Sequence, residues 1–511
     1  MKQQAIIGMD IGTTSTKAVA FDTTGKALFY KAIEYPLFST QPTFAEQDPE
    51  VVLAAVLEAL RVVASQAQEA DVALEGVSFS SAMHSLIAVD AQGKALTNCI
   101  IWADTRSMEQ ATRLKESVTG HDIYLHTGTP LHPMSPLPKL CWLREHEPLV
   151  FARAAKFIGI KEYVFFRLFG EFKVDYSVAS ATGLFNIFTS EWHPDSLEVA
   201  GITPARLSEP VPPTYVFRSM QPAYAELLGI PASLPFVIGA SDGCLANLGS
   251  KAVRPGDAVV TIGTSGAVRV MAKTPATDLQ ERIFSYILTP EHFVLGGAVN
   301  NGGVVLRWFR DNFYATEAAN AALEHENVYE LLNEKAASVP PGADGLVFLP
   351  YLLGERAPIW DPTARACFFG VQYSHTREHF LRALMEGVIF GIYSVGRALE
   401  QTVGPIEALY ANGGFSRSTL WVQMLADVFN KKVHLTDTHE GSALGAAIMG
   451  MYGLGLLTDL THASEMIRVK QTFVPDPVNH AIYRKNFAVF DALYPKLKES
   501  LREAENQNEH K

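Results

Sequence analysis

The sequence predicts an α/β protein of two related halves, and three observations carry that expectation. Short β-rich runs alternate with longer helical stretches. A strand–turn–strand pattern at Ile7–Val19 returns at Val260–Val270. The 511 residues also exceed what one hydrophobic core ordinarily holds. Repetition at so long a period points to a duplicated fold and away from a solenoid. The opening pattern restarts at Val253–Thr261, which sets a boundary near Leu248 and halves of 1–248 and 249–511.

Each element has a local reason. Ala5–Met9, Ala18–Phe21 and Lys26–Ala32 read as successive strands, the last two joined by the turn Asp22-Thr23-Thr24-Gly25. Asp48-Pro49-Glu50 is a helix start, and apolar residues at helical spacing continue it to Ala67. Val72–Ser80 is a further strand that runs into Ser81-Ala82-Met83-His84. Phe236–Ala240 is another, ending at Ser241-Asp242-Gly243. A β-like run at Ala408–Ala411 precedes Asn412-Gly413-Gly414-Phe415-Ser416, and Asn479–Ala504 forms a closing helix.

Composition narrows the partners. Hydrophobic residues make up 48% and charged residues 19%, ordinary for a globular chain. Lys plus Arg number 42 against 54 Asp plus Glu, a net charge of −12. That balance argues against nucleic acid, which wants a basic face. It leaves room for a small anion, which needs only a few local donors. Cys99, Cys141, Cys244 and Cys367 form no CxxC pair and read as reduced thiols, with neither a disulfide framework nor a zinc site. There is no signal-peptide pattern and no apolar run long enough to cross a bilayer. The expected setting is therefore the cytoplasm, with no membrane partner; a homo-oligomer is compatible with the sequence.

The repeated turns carry the chemistry. Gly12-Thr13-Thr14-Ser15 and Gly263-Thr264-Ser265-Gly266 each follow a buried apolar strand. A glycine there admits a close approach, and the amides and hydroxyls that follow can ring an anionic oxygen. Two such turns would grip the phosphates of one nucleotide, so phosphoryl transfer is the leading expectation. Asp10, just before the first turn, suits a Mg²⁺ ion held through water, since Mg²⁺ prefers oxygen and keeps several waters. Taken alone it is as readily a turn aspartate; the adjoining phosphate turn favours the metal. Lys17 can reach a phosphate as a point charge, although a strand lysine is more often solvated.

Asp242 stands just beyond a strand, where α/β folds place ligands. A general base belongs there, to accept the proton of a hydroxyl attacking a γ-phosphoryl group. The plainer alternative is an Asp-Gly turn. Gly413-Gly414 would let an adenine lie flat on the backbone, whereas a loop or helix start is the commoner meaning of such a pair. Ser80–His84 and Trp102–Arg106 offer an imidazole, an indole, a carboxylate and a guanidinium for a polyhydroxylated substrate. A lone buried His or Trp is more often structural. Glu355-Arg356 reads as an internal ion pair before it reads as a substrate element.

With these elements in this order, the chain resembles the FGGY family of carbohydrate kinases over essentially its whole length. Met134-Ser135-Pro136-Leu137-Pro138-Lys139-Leu140-Cys141-Trp142-Leu143 is similar to one family signature. Ala366–Val371 together with His379–Glu386 is similar to another. The resemblance implies a two-domain actin-like (ribonuclease H-like) fold, with ATP and sugar in an interdomain active-site cleft. It matches Asp242 to the catalytic base, and Thr13, Thr14, Ser15 and Lys17 to the first phosphate element. Thr264 matches the second, Gly303 and Arg307 line the nucleotide site, and Gly414 matches the adenosine element. Met83 and His84 match the substrate-contacting pair, with Trp102 and Met134 nearby.

Within the family, Phe79–Ser85, His126–Met134 and Val299–Gly303 are most similar to members that phosphorylate gluconate. Xylulose-specific members usually show Gly-Gln-Met-His where this chain has Ser81-Ala82-Met83-His84, and glycerol-specific ones show Arg-Glu at Met83-His84. The implied partners are ATP, Mg²⁺ linked to Asp10 or Asp242, and a sugar acid. Arg106 and Lys161 are the candidate partners for its carboxylate. A rival is an ATP-driven binding protein of the actin or heat-shock type, which would share the phosphate turns. Asp242 and the polar clusters around His84 and Trp102 count against it.

Overall fold

The computed structural model describes residues 2–438 and 440–509. By contact the chain forms two compact units, the first comprising Met1–Pro255, Met271–Leu295 and Thr438–Arg468. The second comprises Gly256–Val270, Gly296–Asp437 and Val469–Lys511. The units are thus interleaved along the sequence, because two later segments pack with the N-terminal one.

The first unit is built on a six-stranded mixed sheet. Its opening strands are β1 (Gln4–Ile11), β2 (Ser15–Asp22) and β3 (Ala27–Glu34), each one to three residues longer at an end than the pattern suggests. The turn between β2 and β3 is held by the Asp22 carboxylate, which accepts from the Thr24 and Lys26 amides, and Gly25 takes φ +83°. Helix α1 (Pro49–Glu69) starts where Asp48 caps the Glu50 amide, with Pro49 supplying a pre-set first turn. Strands β4 (Ala73–Ser81) and β5 (Phe236–Ser241) complete the part that matters for function. β1 and β5 both run parallel to β4, and register pairs Ile11 with Ser81 and Ser81 with Ser241. Three carboxyl ends therefore share one edge, the edge at which such sheets receive ligands. Helix α2 (Asp242–Leu248) begins immediately after β5.

A small-residue helix, Gly441–Gly453, packs across these strands and α2 from the far end of the sequence. Its approach is close enough that a Cβ on Gly445 would lie 2.0 Å from the Leu245 carbonyl oxygen. A Cβ on Gly8 would lie 2.0 Å from the Ala443 carbonyl oxygen. Both obstacles are backbone, so relief requires moving a helix. Gly445→Ala is expected to lose at least about 1–3 kcal/mol of stability, the scale of overpacking, read as a lower urea midpoint. An unchanged midpoint would mean the helix has room to shift.

The second unit repeats the scheme. Strand β6 (Asp257–Ile262) pairs antiparallel with β7 (Gly266–Ala272), as β1 does with β2. Helix α3 (Gly303–Phe313) follows, and β6 pairs parallel with β8 (Ala408–Asn412), as β1 does with β4. β9 (Val433–Thr436) and β10 (Val469–Phe473) extend that sheet. A buried 27-residue helix, Arg377–Val403, fills the core. The closing helix spans Pro477–Glu509, starting two residues before the expected one. Among the described residues, no helix is long and apolar enough to cross a membrane.

Candidate active site

In the first turn, Ile11 pairs with Thr16 across β1 and β2, which leaves Gly12–Ser15 between the last paired positions of these two strands. Its carbonyls are all engaged by the protein. Gly12 accepts from the Tyr35 hydroxyl at 2.6 Å, Thr13 from the Gln47 side-chain amide at 2.6 Å, and Thr14 from the Tyr35 backbone N–H at 3.1 Å. The groups this leaves for an anion are donors of Thr13, Thr14 and Ser15. The Trp102 indole donates to Thr13 Oγ1 at 2.9 Å. That hydroxyl is then an acceptor toward Trp102 and can point its own hydrogen elsewhere.

The second turn solves the same problem with one residue fewer, since Ile262 pairs with Gly266. Gly263 accepts from the Gly303 amide at 2.7 Å and Thr264 from the Val304 amide at 3.1 Å. Gly302 and Gly303 permit this stacking: a Cβ on either would stand 2.6 to 2.7 Å from the backbone of Ser265 or Gly263. Beside the turn opens a cavity of about 460 Å³. Gly263, Thr264, Gly303, Arg307, Gly414 and Phe415 are among its lining residues, so the structure brings these expected nucleotide positions to one place. Gly413, just before the lining residue Gly414, takes φ +93°, and Gly414 opens a short 3₁₀ turn, the helix-start outcome. Glu355 accepts from the Asn300 and Arg356 amides and from the Asn301 side chain, while Arg356 donates to Asn300 Oδ1. The pair thus braces the loop leading to Gly302-Gly303.

On the edge shared by β1, β4 and β5, Asp10 accepts from the Ser80 hydroxyl at 2.8 Å and feels the charge of Asp242. Loss of water, then the Asp242 charge, pushes the Asp10 carboxyl up to about 6. Asp242 is the first residue of α2 and accepts from the Gly243 amide at 2.6 Å. Two neighbouring carboxylates with hydroxyl oxygens around them are a hard-oxygen donor set, the kind that fits Mg²⁺. Lys17 is engaged by Glu440 at 2.8 Å, an ion pair about two-thirds buried.

The sign of the Asp10 shift gives a prediction. The folded protein holds this proton more tightly than the unfolded chain, so stability falls as pH rises from about 4 to about 6, then levels. Asp10→Asn removes that slope. At about 1.4 kcal/mol per pH unit over which the proton is retained, the variant is expected to gain on the parent by up to about 3 kcal/mol between pH 4 and 7. Urea titrations of nucleotide-free protein check it, and parallel curves would refute the shift.

The positions expected to meet the substrate lie on the same unit. His84 takes φ +70°, and its Nδ1–H donates to the Ala181 carbonyl at 2.7 Å, which leaves Nε2 to accept. Tyr286 OH lies 3.5 Å from that Nε2. Met83 packs partly buried beside it, Met134 is buried, and Trp102 is 36% exposed. Sequence reasoning missed what holds them. The fully buried Lys139 ammonium donates to the carbonyls of His84 at 2.7 Å, Ile101 at 2.8 Å and Met134 at 2.8 Å. It ties three separate segments together at once, and burial lowers its pKa to about 7. Both candidates for the substrate carboxylate have other work. Arg106 is bound by Asp104 and Glu46, with Phe44 under its plane at 3.6 Å. Lys161 is bound by Asp175 at 2.7 Å and by the Ala240 carbonyl at 3.0 Å.

The chain matches known proteins along most of its length. Residues 5–249 match the N-terminal domain, and residues 258–454 the C-terminal domain, of the FGGY family of carbohydrate kinases. The chain is similar to the gluconokinase of Bacillus subtilis (strain 168), 46% identical over 486 residues that cover 95% of this chain and 94% of the relative. A crystal structure of gluconate kinase from Lactobacillus acidophilus superposes with a TM-score of 0.93 at 35% identity, covering 98% of this chain and all of that one. A ligand-bound xylulose kinase from the same organism matches with the same TM-score and identity, over 98% of this chain and 99% of that one.

Proposed function

The chain belongs to the FGGY family of carbohydrate kinases, two domains of actin-like α/β fold, and we propose that its acceptor is a sugar acid, D-gluconate, converted with ATP to 6-phospho-D-gluconate and ADP. The observation that carries the choice of sugar is the likeness to a gluconokinase over nearly the full length of both chains. A xylulose acceptor is the second reading, favoured by the equally similar xylulose kinase structure. The chain departs from the xylulose pattern at Ser81-Ala82, and this supports gluconate.

The geometry supports the following roles. Asp242, at the end of β5, accepts the proton of the terminal sugar hydroxyl as that oxygen attacks the γ-phosphoryl group. His84, with Nε2 as an acceptor, orients a sugar hydroxyl beside Met83 and Trp102. The donors of Thr13, Thr14 and Ser15 neutralise phosphoryl oxygens, and those of Gly263 and Thr264 hold the nucleotide phosphates. Lys17 joins them by exchanging Glu440 for phosphate. Arg307 lies along the nucleotide, and Gly413-Gly414 receive the adenine face. Asp10 and Asp242 would hold Mg²⁺ through water; bound there, the ion screens charge on the phosphates. We place the sugar and general-base functions in 1–248 and the adenosine function in 249–511.

ADP release with Mg-ATP over D-gluconate, D-xylulose, L-ribulose, glycerol and buffer tests the assignment. Preference for gluconate is expected. Preference for xylulose would exchange the two readings, and release independent of any sugar would overturn both.

A further inference from the structure

Outside the kinase machinery, two imidazoles and a carboxylate converge from separate elements of the first unit. Asp122 and His126 are one turn apart on the helix Val118–Thr127, and His193 precedes the helix Pro194–Ala200. One ligand atom from each lies within 4.8 Å of the others. The His126 and His193 rings stack at 5.0 Å with a 17° interplanar angle. Asp122 Oδ2 stands 3.5 Å from His126 Nδ1.

The supporting contacts prepare the two rings for coordination. His126 Nδ1 lies 2.9 Å from the Asp122 carbonyl oxygen, which can only accept, so Nδ1 carries the hydrogen and Nε2 keeps its lone pair. His193 Nδ1 lies 3.0 Å from Ser196 Oγ, and its backbone N–H donates to the Leu184 carbonyl at 2.7 Å. Both are the outer-shell contacts that orient metal-binding imidazoles. His193 is 6% exposed and so fixed, whereas Asp122 and His126 are about half exposed and free to turn. Ligands on a tetrahedral ion with bonds of ~2.0–2.1 Å sit roughly 3.4 Å apart. Rotating the two helix side chains by about 1–1.5 Å at their tips closes the difference.

We propose that Asp122, His126 and His193 bind a first-row transition cation of the Zn²⁺ class, with water completing the shell. Two imidazoles and one carboxylate select Zn²⁺, Co²⁺ or Ni²⁺ over Mg²⁺, which wants oxygen alone. The ion clamps the end of the helix Val118–Thr127 to the strap before Pro194. The turn that follows this helix is tied to the rest of the unit through Gly128, whose carbonyl accepts from Ser285, and Thr129, whose hydroxyl donates to Ser180. The site takes no part in phosphoryl transfer.

The test uses untagged, chelator-treated protein. Co²⁺ titration should give visible d–d absorption at one ion per chain, and micromolar Zn²⁺ should raise the thermal midpoint by several degrees. His193→Ala and the half-exposed His126→Gln should each abolish the absorption and the shift while folding normally without metal. His126→Gln guards against a folding defect in the buried variant. A parent with no absorption, or variants that keep both signals, would overturn the site.

Discussion

Asp242→Asn should lower turnover on the preferred sugar by about 10²–10⁴-fold, the scale of general-base catalysis, with nucleotide affinity unchanged within a few-fold. The substitution is nearly silent for the fold. Asparagine Oδ1 can keep the bond from the Gly243 amide, and losing a charge at the first residue of α2 costs roughly 0.3–1 kcal/mol. The variant also has a signature away from the rate. Asp242 is one of the charges that raise the Asp10 carboxyl, so removing it should move the Asp10 titration below about 6. A merely structural Asp242 would leave turnover near normal. Intact turnover together with the shifted Asp10 would place the general base elsewhere on this edge. The same variant also separates a kinase from an actin-like binding protein, in which sugar-dependent turnover would not exist to be lost.

The strands, the first turn and the β5–Asp242 junction were legible because local rules settle them. An apolar run ending in Gly-Thr-Thr-Ser can hardly become anything else, and Asp48-Pro49 states its helix start outright. Long-range partners were not legible. Lys139 stands in a signature phrase with no role legible in the sequence, yet it is buried where carbonyls from His84, Ile101 and Met134 converge on it, a coincidence of folding that no spacing encodes. Glu440 reaches Lys17 from 423 residues away, carried in by a helix whose glycines permit contact at backbone distance. Arg106 and Lys161 were attractive as carboxylate partners because sequence shows charge but hides its neutralisation. Asp104, Glu46 and Asp175 supply that neutralisation from within the fold. The interleaving of the two units was hidden for a similar reason, since Thr438–Arg468 lies in the second half by order and in the first unit by contact.

Gly414→Leu should weaken ATP binding by about 10²-fold or more while leaving the melting temperature near that of the parent. A Cβ at Gly414 meets nothing within 4 Å, and the residue lines the cavity of about 460 Å³, so the added side chain grows into the space proposed for the adenosine. A butyl-sized group there removes room for a ring and replaces backbone flatness with a steric wedge, which costs binding but strains no packing. The neighbouring glycine supplies the control. Gly413 sits at φ +93°, and a Cβ on it would lie 2.6 Å from the Ile262 carbonyl oxygen, so Gly413→Ala should destabilise the unit itself. Two adjacent glycines would then fail in opposite ways, one by losing ligand and one by losing fold. If Gly414→Leu binds ATP normally by calorimetry, the adenosine does not occupy this cavity. If it also melts early, the wall is structural and the assignment of Gly414 to the nucleotide loses its physical basis.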